Sequence, residues 1–151
     1  MNVNCTQLRH SAQTKKDAAI ALVSGGQSHP IPAVYLSHVA LECALKRRIL
    51  IKNGAKHVED LRQYLPPKEF ESLFSGAVGH DLHRLERTAA LRRYLTALGS
   101  ESLLDGAGWR SMGGDRPYSL RYGLESVAAQ DAKDQVQFAA ELAEFILREA
   151  T

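Results

Sequence analysis

The sequence predicts an all-α protein, and three observations carry that prediction. Alanine and leucine supply 40 of the 151 residues, against 18 for valine, isoleucine and threonine together; minimal or straight side chains lose less rotamer freedom in a helix than β-branched ones do. Apolar residues recur at three- and four-residue intervals, and no stretch alternates cleanly with period two. Glycine and proline gather between these periodic segments and so act as punctuation.

Taken in order, the first helix is expected over 6–23, stopped by Ser24-Gly25-Gly26, where glycine can adopt the left-handed conformation that ends helices. The second begins near Pro30 or Pro32, since a first turn has no intrahelical use for the missing N–H, and ends at Asn53-Gly54. Its apolar residues, from Val34 and Leu36 to Ile49 and Leu50, cover more than one face, as in a helix surrounded by others. A short helix over 57–65 is cut by Pro66-Pro67, and 68–74 forms another before Gly76 and Gly79. Neither is long enough to stand alone. A fourth long segment spans 81–98, with Leu82, Leu85 and Ala89 on one stripe and Leu91, Leu95 and Leu98 on its continuation. Residues 105–123 carry five of the eleven glycines and are too many for a plain connection. The last helix, 125–150, buries Val136, Ala139, Ala143, Ile146 and Leu147. The expectation is one domain, residues 1–151, folded as a bundle of four or five helices.

The formal charge of +2 gives no global field able to drive sequence-independent binding to nucleic acid or an anionic membrane, so any such binding needs a local patch. Two cysteines, Cys5 and Cys43, make no disulfide framework, the first ten residues lack a secretory pattern, and no run is long and apolar enough to span a bilayer. A cytoplasmic protein without membrane attachment is expected.

Four constellations stand out. His38, Glu42 and Lys46 follow at four-residue spacing and stack on one helix face, either as a polar site between helices or as an ion-pair ladder toward solvent. Lys46, Arg47, Arg48, Lys52 and Lys56 lie in a stretch, 43–58, that contains no acidic residue. They could hold phosphates, or simply complement the negative end of the helix. Residues 125–151, by contrast, hold six acidic and two basic residues, a balance of −4 that could meet the basic run across a dimer. His80 and His83 are too few to hold a metal, and His80 reads better as a capping or packing residue at a helix start. The stretch 105–123 interleaves Arg110, Arg116 and Arg121 with Trp109, Tyr118 and Tyr122, a mixture suited to phosphate and base contacts or to an aromatic cover for the core. Neither a Walker pattern nor GxGxxG nor a nucleophile elbow is present, and no cofactor is implied.

Residues 35–54, YLSHVALECALKRRILIKNG, resemble the central helix of HEPN domains, in which an apolar helix carries a glutamate and, four positions on, a lysine; Glu42 and Lys46 match. GHDLHRLE, residues 79–86, is similar to the glycine-histidine-aspartate-leucine segment that leads that family into its next long helix, and Arg121-Tyr122 resembles an arginine-tyrosine pair before its final one. The resemblance implies an all-α, commonly dimeric bundle, akin to the substrate-binding-like companions of minimal nucleotidyltransferases that occur in toxin-antitoxin settings. Other members of the family are metal-independent ribonucleases that use an arginine followed, after four to six intervening residues, by a histidine. No arginine here has a histidine at that distance; the nearest match, Lys52 with His57, supplies the wrong cation. Metal-free RNA cleavage needs a base of near-neutral pKa and a fixed cation at one centre. The expectation is therefore no catalytic residue, but a homodimeric nucleotide- or RNA-binding module or a nucleotidyltransferase companion. Its ligand site would bring together His38, Glu42, Lys46, His80, Arg121 and Tyr122, with Arg47 and Arg48 beside it. The rival expectations are a ribonuclease toxin with a degenerate motif and a structural dimeric interaction protein.

Overall fold

The computed structural model describes residues 2–25, 29–74, 82–89 and 127–149, and within them every regular element is a helix. The elements are α1 (Cys5–Ser24), α2 (Pro30–Lys52), a 3-10 helix (Val58–Gln63), α3 (Pro67–Phe74), α4 (Leu82–Ala89) and α5 (Ala129–Glu149).

Helix α1 starts on a reciprocal cap. The Asn4 side chain accepts from the Gln7 N–H and the Gln7 side chain accepts from the Asn4 N–H, both at 2.9 Å, so two donors of the first turn are satisfied. The same N-terminal stretch is pinned to the 3-10 helix, because Val58 donates its N–H to the Val3 carbonyl at 2.8 Å beside an isolated antiparallel bridge between Asn4 and His57. At its other end α1 stops at Ser24, within the expected Ser24-Gly25-Gly26 segment, of which Gly26 lies outside the described residues. Gly25 is extended, at φ −85° and ψ 172°, not left-handed, and Ser24 Oγ donates back to the Ile20 carbonyl at 2.7 Å.

Among the described residues a left-handed glycine follows α2. Gly54 has φ 67°, its N–H bonds the Ile51 carbonyl at 3.1 Å, and the Ala55 N–H bonds the Leu50 carbonyl at 2.9 Å. This is a Schellman closure, and its usual apolar seal is present because Leu50 and Ala55 are both buried. A Cβ at Gly54 would touch nothing. Gly54→Ala therefore isolates the conformational penalty and is expected to lower stability by about 1–2 kcal/mol in urea unfolding; an unchanged midpoint would mean the turn relaxes.

Pro30 opens α2 in its first turn, and the helix then becomes the centre of the molecule, packed against α1, α5 and α4. Val34, Leu41, Leu45, Ile49 and Leu50 are essentially inaccessible, which requires neighbours on more than one side. Small residues let those neighbours approach: Ala33 and Ala44 on α2, Ala12 and Ala19 on α1, and Ala139 and Ala143 on α5 are all buried. The five residues named above for the last helix are all in this core. That helix begins at Ala129, later than expected, with Val127 and Ala128 non-helical before it. Of the segment expected over 81–98, α4 is the described portion, and it buries Leu82, Leu85 and Ala89 as the stripe requires. Residues 90–126, including the arginine-aromatic stretch, lie outside the described residues.

Polar links join the C-terminal helix to the rest. Arg47 Nη1 donates to the Leu147 carbonyl at 3.3 Å, and Lys16 Nζ pairs with Glu144 Oε1 at 2.6 Å. The basic stretch of α2 and the acidic last helix thus touch within one chain. Lys16 holds the Glu144 carboxyl below the usual carboxylate value, through its hydrogen bond first and its charge second. A pKa depressed by folding stabilises above the unfolded value and ceases to do so as pH falls through the folded one. Because Glu144 is largely exposed, Glu144→Gln is expected to cost under about 1 kcal/mol at neutral pH and nothing in acid, read from thermal melts across that range.

Candidate functional site

The four-residue spacing on α2 becomes a real pair. Glu42 Oε1 and Lys46 Nζ are 2.6 Å apart, with the glutamate N-terminal to the lysine, the more favourable order on a helix. The side chains are only 10% and 15% exposed, so this is a packed ion pair rather than a solvent ladder. Lys46 Nζ also stands 5.7 Å from the centroid of the Phe74 ring. One turn before the pair, His38 is completely buried.

The other cations of the run point elsewhere, because each step along an α-helix turns the side chain by roughly 100°. Arg47 is buried, and burial, reinforced by the nearby charge of Arg9, lowers its guanidinium below the ordinary arginine value. Its Nη1 donates into the end of α5, where the helix leaves carbonyls without intrahelical partners. Arg48 is half-buried, and its Nε has no hydrogen-bond partner among the described residues. Lys52 and Lys56 reach solvent. Contiguity in sequence therefore does not give one basic patch. His80, Arg121 and Tyr122 lie outside the described residues, so the convergence expected of them with α2 falls outside too.

Two concavities surround these residues. The first is a cleft of about 430 Å³ between α2, the 3-10 helix and α3, with Glu42 and Lys46 on one wall and Glu59, Arg62, Glu71 and the Phe70–Phe74 pair on the other. The two rings sit four residues apart on α3 and stack with centroids 5.3 Å apart and planes 27° to each other. Arg62 lies over Phe70 at 4.1 Å and bonds Glu59 at 2.6 Å and Glu71 at 2.8 Å.

The second is an open groove of about 670 Å³ where the end of α2 meets α4 and the turn before α3. Lys52, Arg84 and Arg87 line it together with Glu69, the one carboxylate among the described lining residues, and Tyr64, 53% exposed, stands at its side. Lys52 Nζ donates to the Thr88 carbonyl at 3.2 Å and so ties the two helices that form the groove. Sequence reasoning missed Arg84, Arg87 and Tyr64 as site residues. The available signal was weak: an exposed Tyr64 ahead of Pro66-Pro67, and two arginines three apart on a helix whose apolar stripe faces the core.

Both thiols are free, and burial pushes both above the ordinary cysteine value. The charge of Arg47 partly offsets this at Cys5, and at Cys43 the Ser11 hydroxyl, 3.6 Å from the sulfur, does so by donating to the thiolate. Since the thiolate is the nucleophile, alkylation by iodoacetamide at pH 7 is expected to be slower at both than for free cysteine, measured by mass spectrometry of the intact protein. Equal rates would contradict the burial.

Among the described residues no group of histidine, cysteine and carboxylate side chains is placed to hold a metal ion, and no helix is long and apolar enough to cross a membrane. Compared with known proteins, the chain matches no family model, no curated protein and no solved structure at a significant level.

Proposed function

We propose that this chain is a non-catalytic HEPN-like module that binds a nucleotide or RNA, working as a homodimer. The observation that carries the binding half is the Lys52, Arg84 and Arg87 groove with its exposed Tyr64. Guanidinium and ammonium groups on two helices would contact successive phosphates, and a phenol ring at the side offers a face on which a base can stack. The non-catalytic half rests on the missing arginine-histidine spacing, and the dimer and the kinship with nucleotidyltransferase companions rest on the resemblance in residues 35–54 and 79–86.

Fluorescence anisotropy with a labelled oligouridylate tests the binding. Arg87→Ala and Lys52→Ala are expected to weaken it and to flatten its salt dependence, each lost phosphate contact removing about 0.7 from the slope of log K against log salt. Substitution of Lys56, exposed but away from the groove, is expected to change little. Unaltered affinity in the groove variants would refute the assignment, and cleavage of the RNA by purified protein would refute the non-catalytic reading. Sedimentation velocity at micromolar concentration decides the dimer.

A further inference from the structure

We propose that the cleft between α2, the 3-10 helix and α3 is a binding site for a small organic cation, a guanidinium or primary amine carried on a short apolar stem. The chain as a whole is basic, yet among the described residues this cleft is lined by three carboxylates, Glu42, Glu59 and Glu71, against two cations, Lys46 and Arg62, a balance of −1 among them. Its volume of about 430 Å³ lies within the range of small-molecule pockets, of order 300–1,000 Å³.

The arrangement inside it is specific. Phe70 and Phe74 stack side by side, and each presents its face to a cation that is also held by a carboxylate. Lys46 sits near Phe74 and pairs with Glu42, and Arg62 sits over Phe70 between Glu59 and Glu71. A ring face joined to one or two carboxylates is what recognises an organic cation, since the quadrupole and the charge act together. The cleft therefore holds two such subsites, each filled by the protein's own side chain.

The two fillings differ in permanence. Lys46 is packed, at 15% exposure, whereas Arg62 is 50% exposed and its partners Glu59 and Glu71 are 45% and 54% exposed. Exposed pairs of this kind are held weakly, so Arg62 can swing into solvent and yield its place to an external guanidinium. Val58 and the Phe70 ring supply the apolar surface for the stem. Arg62 is then an internal competitor whose removal strengthens binding. This site is separate from the basic groove, so either can fail without the other.

Titration of the labelled protein with butylguanidinium, followed by amide chemical shifts, tests the site, with butylurea as an uncharged isostere. The expected result is saturable, weak binding of butylguanidinium to the wild type, shifts confined to residues around Phe70, and affinity about three- to tenfold higher in Arg62→Ala. Adding Glu59→Gln and Glu71→Gln to Arg62→Ala should abolish it. All three positions are exposed, so the variants are expected to fold, and their amide spectra verify that. Equal binding of butylurea, no gain in Arg62→Ala, or no saturable shift in either protein would each overturn the proposal.

Discussion

Glu42→Ala is expected to destabilise the fold by about 3–5 kcal/mol, and Lys46→Ala by a similar amount. Each substitution takes from the other, packed member its 2.6 Å partner, and breaking a buried pair by removing one side is far more costly than the pair is favourable. The magnitude separates this pair from Arg62, which is exposed like its partners and whose replacement by alanine should have a far smaller effect. Replacing both members together, as Glu42→Leu with Lys46→Met, removes the desolvated charges and should recover most of the loss, because apolar substitutes for buried pairs are often neutral or stabilising. Urea unfolding of the three variants makes the comparison, provided the slope with denaturant stays constant. Single-variant losses below about 1 kcal/mol would show that the pair behaves as a solvated one despite its burial.

The same pair shows what a sequence can and cannot reveal. The spacing of Glu42 and Lys46 fixes that they share a face of α2, since helical geometry alone decides it. Whether that face looks to solvent depends on what packs over it, and the packing comes from Phe74 on α3, 28 residues beyond Lys46, which no local pattern announces. The helices themselves were legible for a related reason. Proline at the start of α2, the Asn53-Gly54 stop after it and the Pro66-Pro67 break act within a few residues, and the structure places element ends beside each of them. Gly25 and Gly54 mark the limit of that logic. Both follow helices, yet of the two only Gly54 takes the left-handed conformation, because there the chain must turn back at once to bury Ala55, whereas Gly25 is itself extended.

Charge was the least legible property. Lys46, Arg47 and Arg48 are adjacent in sequence, but one is bound to a carboxylate, one caps the end of α5 and one is half-buried. The groove that gathers cations draws Lys52 from α2 and Arg84 and Arg87 from α4, which are brought together only by the burial of Leu82, Leu85 and Ala89 in the core. A basic surface is thus a product of the fold and not of a basic run.

Leu41→Ala in the middle of α2 is expected to cost about 3–5 kcal/mol, and Leu45→Ala about the same. Both side chains are essentially inaccessible in the helix that contacts α1, α4 and α5, so removing three carbons forfeits the transfer free energy and opens a cavity that three rigid neighbours cannot close. Those neighbours approach through alanines, which have no longer side chain to swing into the gap. For a chain of this size each kcal/mol moves the melting temperature by roughly 2–4 °C, so either variant should melt about 6–20 °C below the wild type. The double variant, if the two losses combine, approaches the whole stability of an ordinary domain, about 5–15 kcal/mol, and should be largely unfolded at 37 °C. Ile20→Ala supplies the contrast. That side chain is 36% exposed on α1, and its truncation should cost about 1 kcal/mol or less. A shift at Leu41 no larger than at Ile20 would remove α2 from the centre of the bundle.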